Sequence, residues 1–387
     1  MTGSSLTRLV GDVRHFLDRV FGEVPLHVPA AAPDAFDDVL SLVHVDEIVA
    51  ASGLRAPGFR VVKQGATLPA SRVTRKARIG SRPVDDLADV AAVHAAFADG
   101  ATVVLQGLHR SWRPVAQLCR ELEVELTHPV QANAYLTPPV AQGLHLHEDP
   151  HDVFAVQTHG VKRWVVHPPD GTAAWDLELK PGDVLYLPAG TRHAAQTVES
   201  ASLHLTIGVR TMRWSQLVRR AFDAALSSAE LDRTVPAGWA DTPGDHRDLL
   251  ARQLETVADA LRNGDPDTAL RDAAAAFWSN RVPDRSGGLQ DLLAVDQLDD
   301  ATALRVRPHL SVNLELDRDV AVLVLADRRV RMPAAVEPAL RWMLGVGRFR
   351  PADLDDHLDE ASRLVLCRRL VREGLLTLHG AGDGDPA

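Results

Sequence analysis

The chain has 387 residues, 45% of them hydrophobic, which is material for two or three domains at the usual ~100–200 residues each and excludes a disordered polypeptide. Its 42 basic and 52 acidic residues leave a formal charge of −10, so no global positive field draws nucleic acid or an anionic membrane, and any nucleic-acid role has to be local. Only Cys119 and Cys367 are available for sulfur chemistry, which excludes a disulfide framework or a thiolate metal cluster and fits a reducing compartment; a metal would have to use His and carboxylates. Basic charge is carried by 38 Arg and only four Lys, at 63, 76, 162 and 180.

The opening MTGSSLTRLVGDVRHF lacks a basic region followed by an apolar run, and the longest wholly apolar stretch, 320–326, is far short of the ~18 residues of a membrane span. A soluble cytoplasmic protein without membrane association is expected. Residues 85–98 read as a helix and 101–105 as a short buried strand. From 130 to 210 the texture changes to closely spaced strands, VFAVQ, RWVVH, DVLYLPA and SLHLTIGV, separated by the turn signals Pro168-Pro169-Asp170-Gly171 and Pro181-Gly182-Asp183. Such spacing leaves no room for crossover helices and predicts a β-sandwich or barrel.

At Trp214 the period becomes helical. Trp214, Leu217, Val218, Phe222, Ala225 and Leu226 share one face, and Leu250, Leu254, Val257 and Leu261 share another before a stop at Asn263-Gly264. A linker is expected at 280–288. Beyond it the pattern predicts a helix near 289–298, a strand pair at 312–316 and 320–325, helices near 336–343 and 360–373, and a closing strand LLTL, a mixture resembling a winged helix. From Ala301 onward 13 Arg balance 13 acidic residues, so this module has no basic surface for DNA and no direct DNA binding is expected. The tail AGDGDPA reads as disordered.

Seven of the 17 His lie between 145 and 204. On a strand, residues i and i+2 face the same way, so His147 and Asp149 would face inward together while Glu148 points away. His193, following a strand and a Pro/Gly turn, would complete two His and one carboxylate, a set that suits Fe(II) and leaves positions open for co-substrate and dioxygen. The His-x-Asp spacing by itself is weak, since it recurs at His44/Asp46, His246/Asp248 and His357/Asp359. What singles out His147/Asp149 is the distal Pro-x-Gly-x-x-His element.

The run Asn133-Ala134-Tyr135-Leu136-Thr137-Pro138-Pro139, then Gln142-Gly143, His147-x-Asp149, Phe154, Gln157, Gly160, Lys162 and Trp164, resembles the core of the JmjC-type 2-oxoglutarate oxygenases, in particular the ribosomal oxygenase branch of the cupin superfamily. Gly182-Asp183, Leu185-Tyr186, Pro188, Gly190, His193-Ala194 and His204-Leu205-Thr206-Ile207 continue the match in order. The resemblance implies an α+β protein with a double-stranded β-helix (jelly-roll or cupin) core. It places a JmjC/cupin catalytic domain at 1–211, a helical dimerisation segment at 212–282 and a winged-helix-like domain at 289–387. It further implies Fe(II) held by His147, Asp149 and His193, 2-oxoglutarate as co-substrate with O2, its distal carboxylate held by Lys162 with help from Tyr135, and a homodimer. The activity implied is hydroxylation of an amino-acid side chain, an Arg or His of a ribosomal protein or another peptide, although a small natural product stays open.

Elementary electrostatics adds that an anion buried beside a metal needs a compensating cation, a role suited to Lys162. Asn133 and Thr206 are further candidate polar contacts in the pocket. His145 and His151 are expected not to ligate, and His204 to be a hydrogen-bonded core histidine. Gly208 stands where some relatives carry a hydroxyl residue. Two rivals share the same residues: a general three-His cupin using His145, His147 and His193 with Glu148 or Asp152 and no 2-oxoglutarate, and a non-catalytic peptide-binding scaffold.

Overall fold

A computed structural model describes residues 4–51, 53–139, 146–197, 199–228, 231, 234–308, 310 and 312–378. His145, Gln142, Gly143 and the tail 381–387 lie outside these. The chain falls into two compact units, Met1–Met212 and Arg213–Ala387.

The first unit runs α1 (Ser5–Val10), α2 (Val13–Arg19), β1 (Leu26–Val28), α3 (Leu42–Ala51), β2 (Phe59–Lys63), β3 (Ala66–Thr67), β4 (Thr74–Ile79), β5 (Arg82–Ala88), α4 (Val90–Ala98), β6 (Thr102–Leu105) and α5 (Arg113–Leu126). It continues with β7 (Val130–Thr137), β8 (Asp152–His159), β9 (Lys162–His167), β10 (Trp175–Leu179), β11 (Val184–Leu187), β12 (Arg192–Thr197) and β13 (Ser202–Val209). Among the described residues these strands form an eight-stranded sheet, β1-β11-β8-β13-β7-β6-β2-β3, a three-stranded sheet, β10-β9-β12, and the separate hairpin β4-β5. This is the expected jelly-roll.

Strand β8 shows why its sequence is apolar without alternation. Phe154 and Val156 enter the main core with Phe16, Tyr186, Leu205 and Ile207, whereas Val153 and Ala155 pack with Trp164, Val166, Leu185 and Leu187 in a second core. A strand buried on both faces reads as a continuous apolar run. In β9 the alternation survives: Lys162, Trp164 and Val166 are inside while Arg163 and His167 are exposed.

One expected helix is shorter than predicted. Residues 85–88 belong to β5, paired with β4, and the helix begins at Val90 because the Asp89 carboxylate caps it, accepting the Ala92 N–H at 3.1 Å. The buried strand at 101–105 is present as β6, with all four residues inside.

The second unit begins with α6 (Trp214–Ser228), α7 (Arg247–Asn263) and α8 (Pro266–Ser279), the last started by the Asp265 cap. There follow α9 (Gly288–Ala294), β14 (Leu304–Val306), β15 (Val312–Asp317), β16 (Val320–Leu325), β17 (Arg328–Pro333), α10 (Glu337–Val346), β18 (Arg348–Phe349), α11 (Glu360–Arg372) and β19 (Leu376–Leu378). The predicted pair β15-β16 gains a third strand, β17, whose alternating Arg had hidden its buried Val330 and Met332. A core of Leu323, Leu340, Leu354, Leu370 and Leu376 holds the helices to these ribbons.

Candidate active site

A cavity of about 190 Å³ is lined from both sheets of the first unit: Arg60 and Val62 on β2, Tyr135 and Thr137 on β7, Lys162 and Trp164 on β9, His193 on β12, His204 and Thr206 on β13, with His147 and Asp149. Period two explains the membership of β13, whose Leu203, Leu205 and Ile207 turn to the core while His204 and Thr206 turn to the cavity.

His147, Asp149 and His193 each offer a ligand atom within 4.8 Å of the others. His147 is not within a regular strand; two backbone bonds, His147 N to His193 O at 3.0 Å and His193 N to His147 O at 2.8 Å, set it directly opposite His193. Exposure still alternates as expected, with Glu148 outside. A turn at 188–191 ties the second half of the set to the first: Gly190, at φ +82°, donates its N–H to Asp149 O at 2.8 Å, and Ala189 N donates to the Asp152 carboxylate at 3.0 Å.

His193 Nδ1 lies 2.9 Å from Thr191 O, so Nδ1–H donates there and the Nε2 lone pair is left for a cation, 3.8 Å from Asp149 Oδ2. Burial lowers the His193 pKa, which also favours the neutral, ligating form.

Lys162 is 3% exposed, and its Nζ reaches only Thr137 Oγ1 at 3.4 Å and His204 Nδ1 at 3.5 Å; among the described residues it has no carboxylate partner. Burial alone pulls its pKa down to about 7. Burial and then Lys162 itself keep His204 neutral, and its ring stacks on Tyr135 at 4.9 Å. Burial raises the Tyr135 pKa, opposed by the Arg60 guanidinium beside it. Gln157 positions Lys162: its side-chain amide donates to His159 O, Gly160 O and Ser202 Oγ and so staples the turn into β9. Gly160, at φ +64°, has no room there for a Cβ, which would stand 1.9 Å from Ala201 O.

A keto diacid fits this donor set. The cavity presents a buried ammonium without a counterion, and two of its wall residues, Arg60 and Trp164, keep buried N–H groups, Nε and Nε1, without partners among the described residues. Unpaired buried donors are costly, and an acceptor-rich occupant would satisfy them.

Other expected residues lie elsewhere. Asn133 is spoken for, its side-chain oxygen accepting the Gly107 N–H at 2.9 Å, and it is absent from the cavity wall. His151 packs against Gly208, where a Cβ would come within 2.6 Å of its Nε2; the imidazole fills the space that a hydroxyl residue would take. His204 is buried as expected, but on the cavity wall. The acidic group of a three-His cupin is not found among the described residues: Glu148 is exposed, and the Asp152 carboxylate accepts Tyr186 Oη–H and Ala189 N–H. Sequence reasoning missed Arg60, although one cation inside the apolar run FRVVK, out of phase with the core residues Phe59 and Val61, was a usable signal.

Residues 108–217 match the JmjC domain family. This stretch, which holds the whole proposed ligand set, is similar to a JmjC domain. Ribosomal oxygenase 2 of Rattus norvegicus is 32% identical over 189 residues, covering 42% of this chain and 40% of that protein. Bifunctional lysine-specific demethylase and histidyl-hydroxylase NO66 of Drosophila persimilis is 29% identical over 249 residues, covering 56% and 36%. This chain thus spans less than half the length of these curated relatives. The likeness to solved structures is one of fold: the ribosomal oxygenase YcfD of Escherichia coli, solved with cobalt and 2-oxoglutarate, superposes with a TM-score of 0.53 at 18% identity over 95% of this chain and 98% of that one.

Proposed function

We propose that this JmjC protein is an Fe(II)- and 2-oxoglutarate-dependent oxygenase that hydroxylates an amino-acid side chain of a protein, a His or Arg of a ribosomal protein being the foremost candidate. The observation that carries this reading is Lys162, a buried cation with no carboxylate partner among the described residues, in the wall of the cavity that also holds His147, Asp149 and His193. The relatives' names support it, since they are a ribosomal oxygenase and a histidyl-hydroxylase, and YcfD was solved with a metal and 2-oxoglutarate.

In this reading His147, Asp149 and His193 would hold the metal, and Lys162 with Tyr135 and Thr206 would orient the diacid. When bound, iron with 2-oxoglutarate and dioxygen supplies the oxidising power for inserting oxygen into an unactivated C–H bond. The protein's own work is geometric. The Thr191 carbonyl fixes the His193 tautomer, Trp164 and Val153 line the cavity, and Arg60, beside Tyr135, keeps a buried N–H for an acceptor of the diacid.

We further propose a homodimer through α6–α8, supported by the exposed Trp214, Val218, Phe222, Leu250 and Leu254. A strictly monomeric species in sedimentation at micromolar concentration would overturn it. Action in the reducing cytoplasm is supported by two free buried cysteines, the Cys367 thiol pushed up to about 12 by burial. Among the described residues no helix is long and apolar enough to cross a membrane.

The deciding experiment is 2-oxoglutarate turnover with Fe(II), comparing the native protein with His147→Ala, Asp149→Ala and Lys162→Ala. Intact-mass analysis of candidate ribosomal proteins, seeking the addition of one oxygen atom, goes with it. Unchanged turnover in the ligand variants, or turnover without the oxoacid, would reject the reading.

A further inference from the structure

We propose that the hairpin β4-β5 is a docking surface for RNA. From Arg72 to Arg82 the chain carries Arg72, Arg75, Lys76, Arg78 and Arg82 and no acidic residue, a local charge of +5 in a protein whose total is −10. All five are exposed. None makes an ion pair among the described residues; the one polar contact is internal, Arg78 to Ser81 O at 3.1 Å. Elsewhere in the same unit several basic side chains find carboxylates: Arg8 with Asp38, Arg55 with Asp86, Lys63 with Asp99, Arg163 with Asp176. The hairpin's own carboxylates, Asp85 and Asp86, lie in the middle of β5, between Val84, paired with Ala77, and Leu87, paired with Arg75, and Asp86 is held by Arg55. A cluster of hairpin cations without carboxylate partners among the described residues, in an acidic chain, stays available for an external polyanion.

The chemistry of the strip favours phosphates over a folded acidic protein. Protein interfaces need a desolvated apolar or aromatic centre, and the one large exposed hydrophobic residue of this hairpin is Ile79, 61% exposed, opposite Arg82 across the turn. Phosphate binding needs only reachable charges and forked guanidinium donors, which β4 presents at residues 75, 76 and 78 along one strand. The choice of RNA over DNA rests on the reading of the target as a ribosomal protein, which is presented among RNA phosphates. The hairpin would then hold the ribonucleoprotein surface while the cavity takes the side chain.

Fluorescence anisotropy of the full chain with a labelled ribosomal RNA hairpin, between about 50 and 200 mM salt, tests this. Arg75, Lys76, Arg78 and Arg82 are replaced together by Gln in one variant and by Glu in a second; all four are exposed and outside both cores, so the fold is kept. The expected result is binding whose logarithm falls linearly with log salt at a slope of about −3, weakened about tenfold or more by the Gln variant and further by the Glu variant. Polyglutamate is expected to bind about tenfold more weakly, and turnover on a free peptide to be the same in all forms. No binding at low salt, binding undiminished in the variants, or equally tight binding of polyglutamate would overturn the proposal. Anisotropy judges the hairpin and peptide turnover judges the oxygenase, so each reading fails by its own readout.

Discussion

Arg307 in the second unit and Lys162 in the first are both nearly excluded from solvent, at 5% and 3% exposure. Arg307 is answered within the fold: it bonds the buried Asp291 and donates to Ser286 O at 2.6 Å, while Asp291 also accepts from Thr377 and the Leu378 N–H. Lys162 meets only a hydroxyl and an imidazole at long distance. A buried cation joined to its counterion is a structural element, whereas one left without a counterion marks the place where a ligand supplies it.

Removing each partner in turn should break the comparison cleanly. Asp291→Ala strands a buried guanidinium and is expected to lower stability in urea by about 3–5 kcal/mol, with 2-oxoglutarate affinity per folded molecule unchanged. Lys162→Met removes an uncompensated charge, so the ligand-free fold is expected to be at least as stable, while 2-oxoglutarate affinity measured by calorimetry falls by about 2–5 kcal/mol. If Lys162→Met instead unfolds the protein and Asp291→Ala does not, the roles are reversed.

The pH dependence sharpens the same contrast. The Lys162 pKa is lowered from 10.5 to about 7 in the fold, so between those values the unfolded chain holds more protons and stability of the ligand-free protein should rise with pH. Below about pH 7 both states are protonated and this dependence ends. Binding of the diacid requires the protonated amine, so its affinity should weaken by up to about tenfold per unit as pH rises above 7, a dependence absent from Lys162→Met. A smaller effect is expected from Arg60→Met: about 1–2 kcal/mol, read as weaker 2-oxoglutarate binding with the Fe(II) affinity unchanged.

How much of this was legible beforehand follows from periodicity. His147, Asp149 and His193 could be grouped because they sit at fixed offsets in strands or beside turns whose Gly and Pro are visible, and period two decides which way they face, whereas Lys162 was singled out by the family resemblance and by a buried anion's need for a cation. Arg60 was not: its place in an apolar run marks it as unusual, but that β2 joins the cavity rests on its pairing with β6, a contact distant in sequence. Asn133 failed for the opposite reason. It shares parity with Tyr135, yet the Gly107 N–H, 26 residues upstream, takes its side chain. The shortened helix at Val90 shows a cap overriding propensity: Asp85 and Asp89 both suit a helix start, and only strand pairing chose between them.

The most direct test is anaerobic calorimetry of 2-oxoglutarate into the protein, with and without Fe(II), in the native form and in Lys162→Met. The account predicts one site per chain that requires both the metal and the lysine. Binding of equal strength without metal, or undiminished in Lys162→Met, would contradict it.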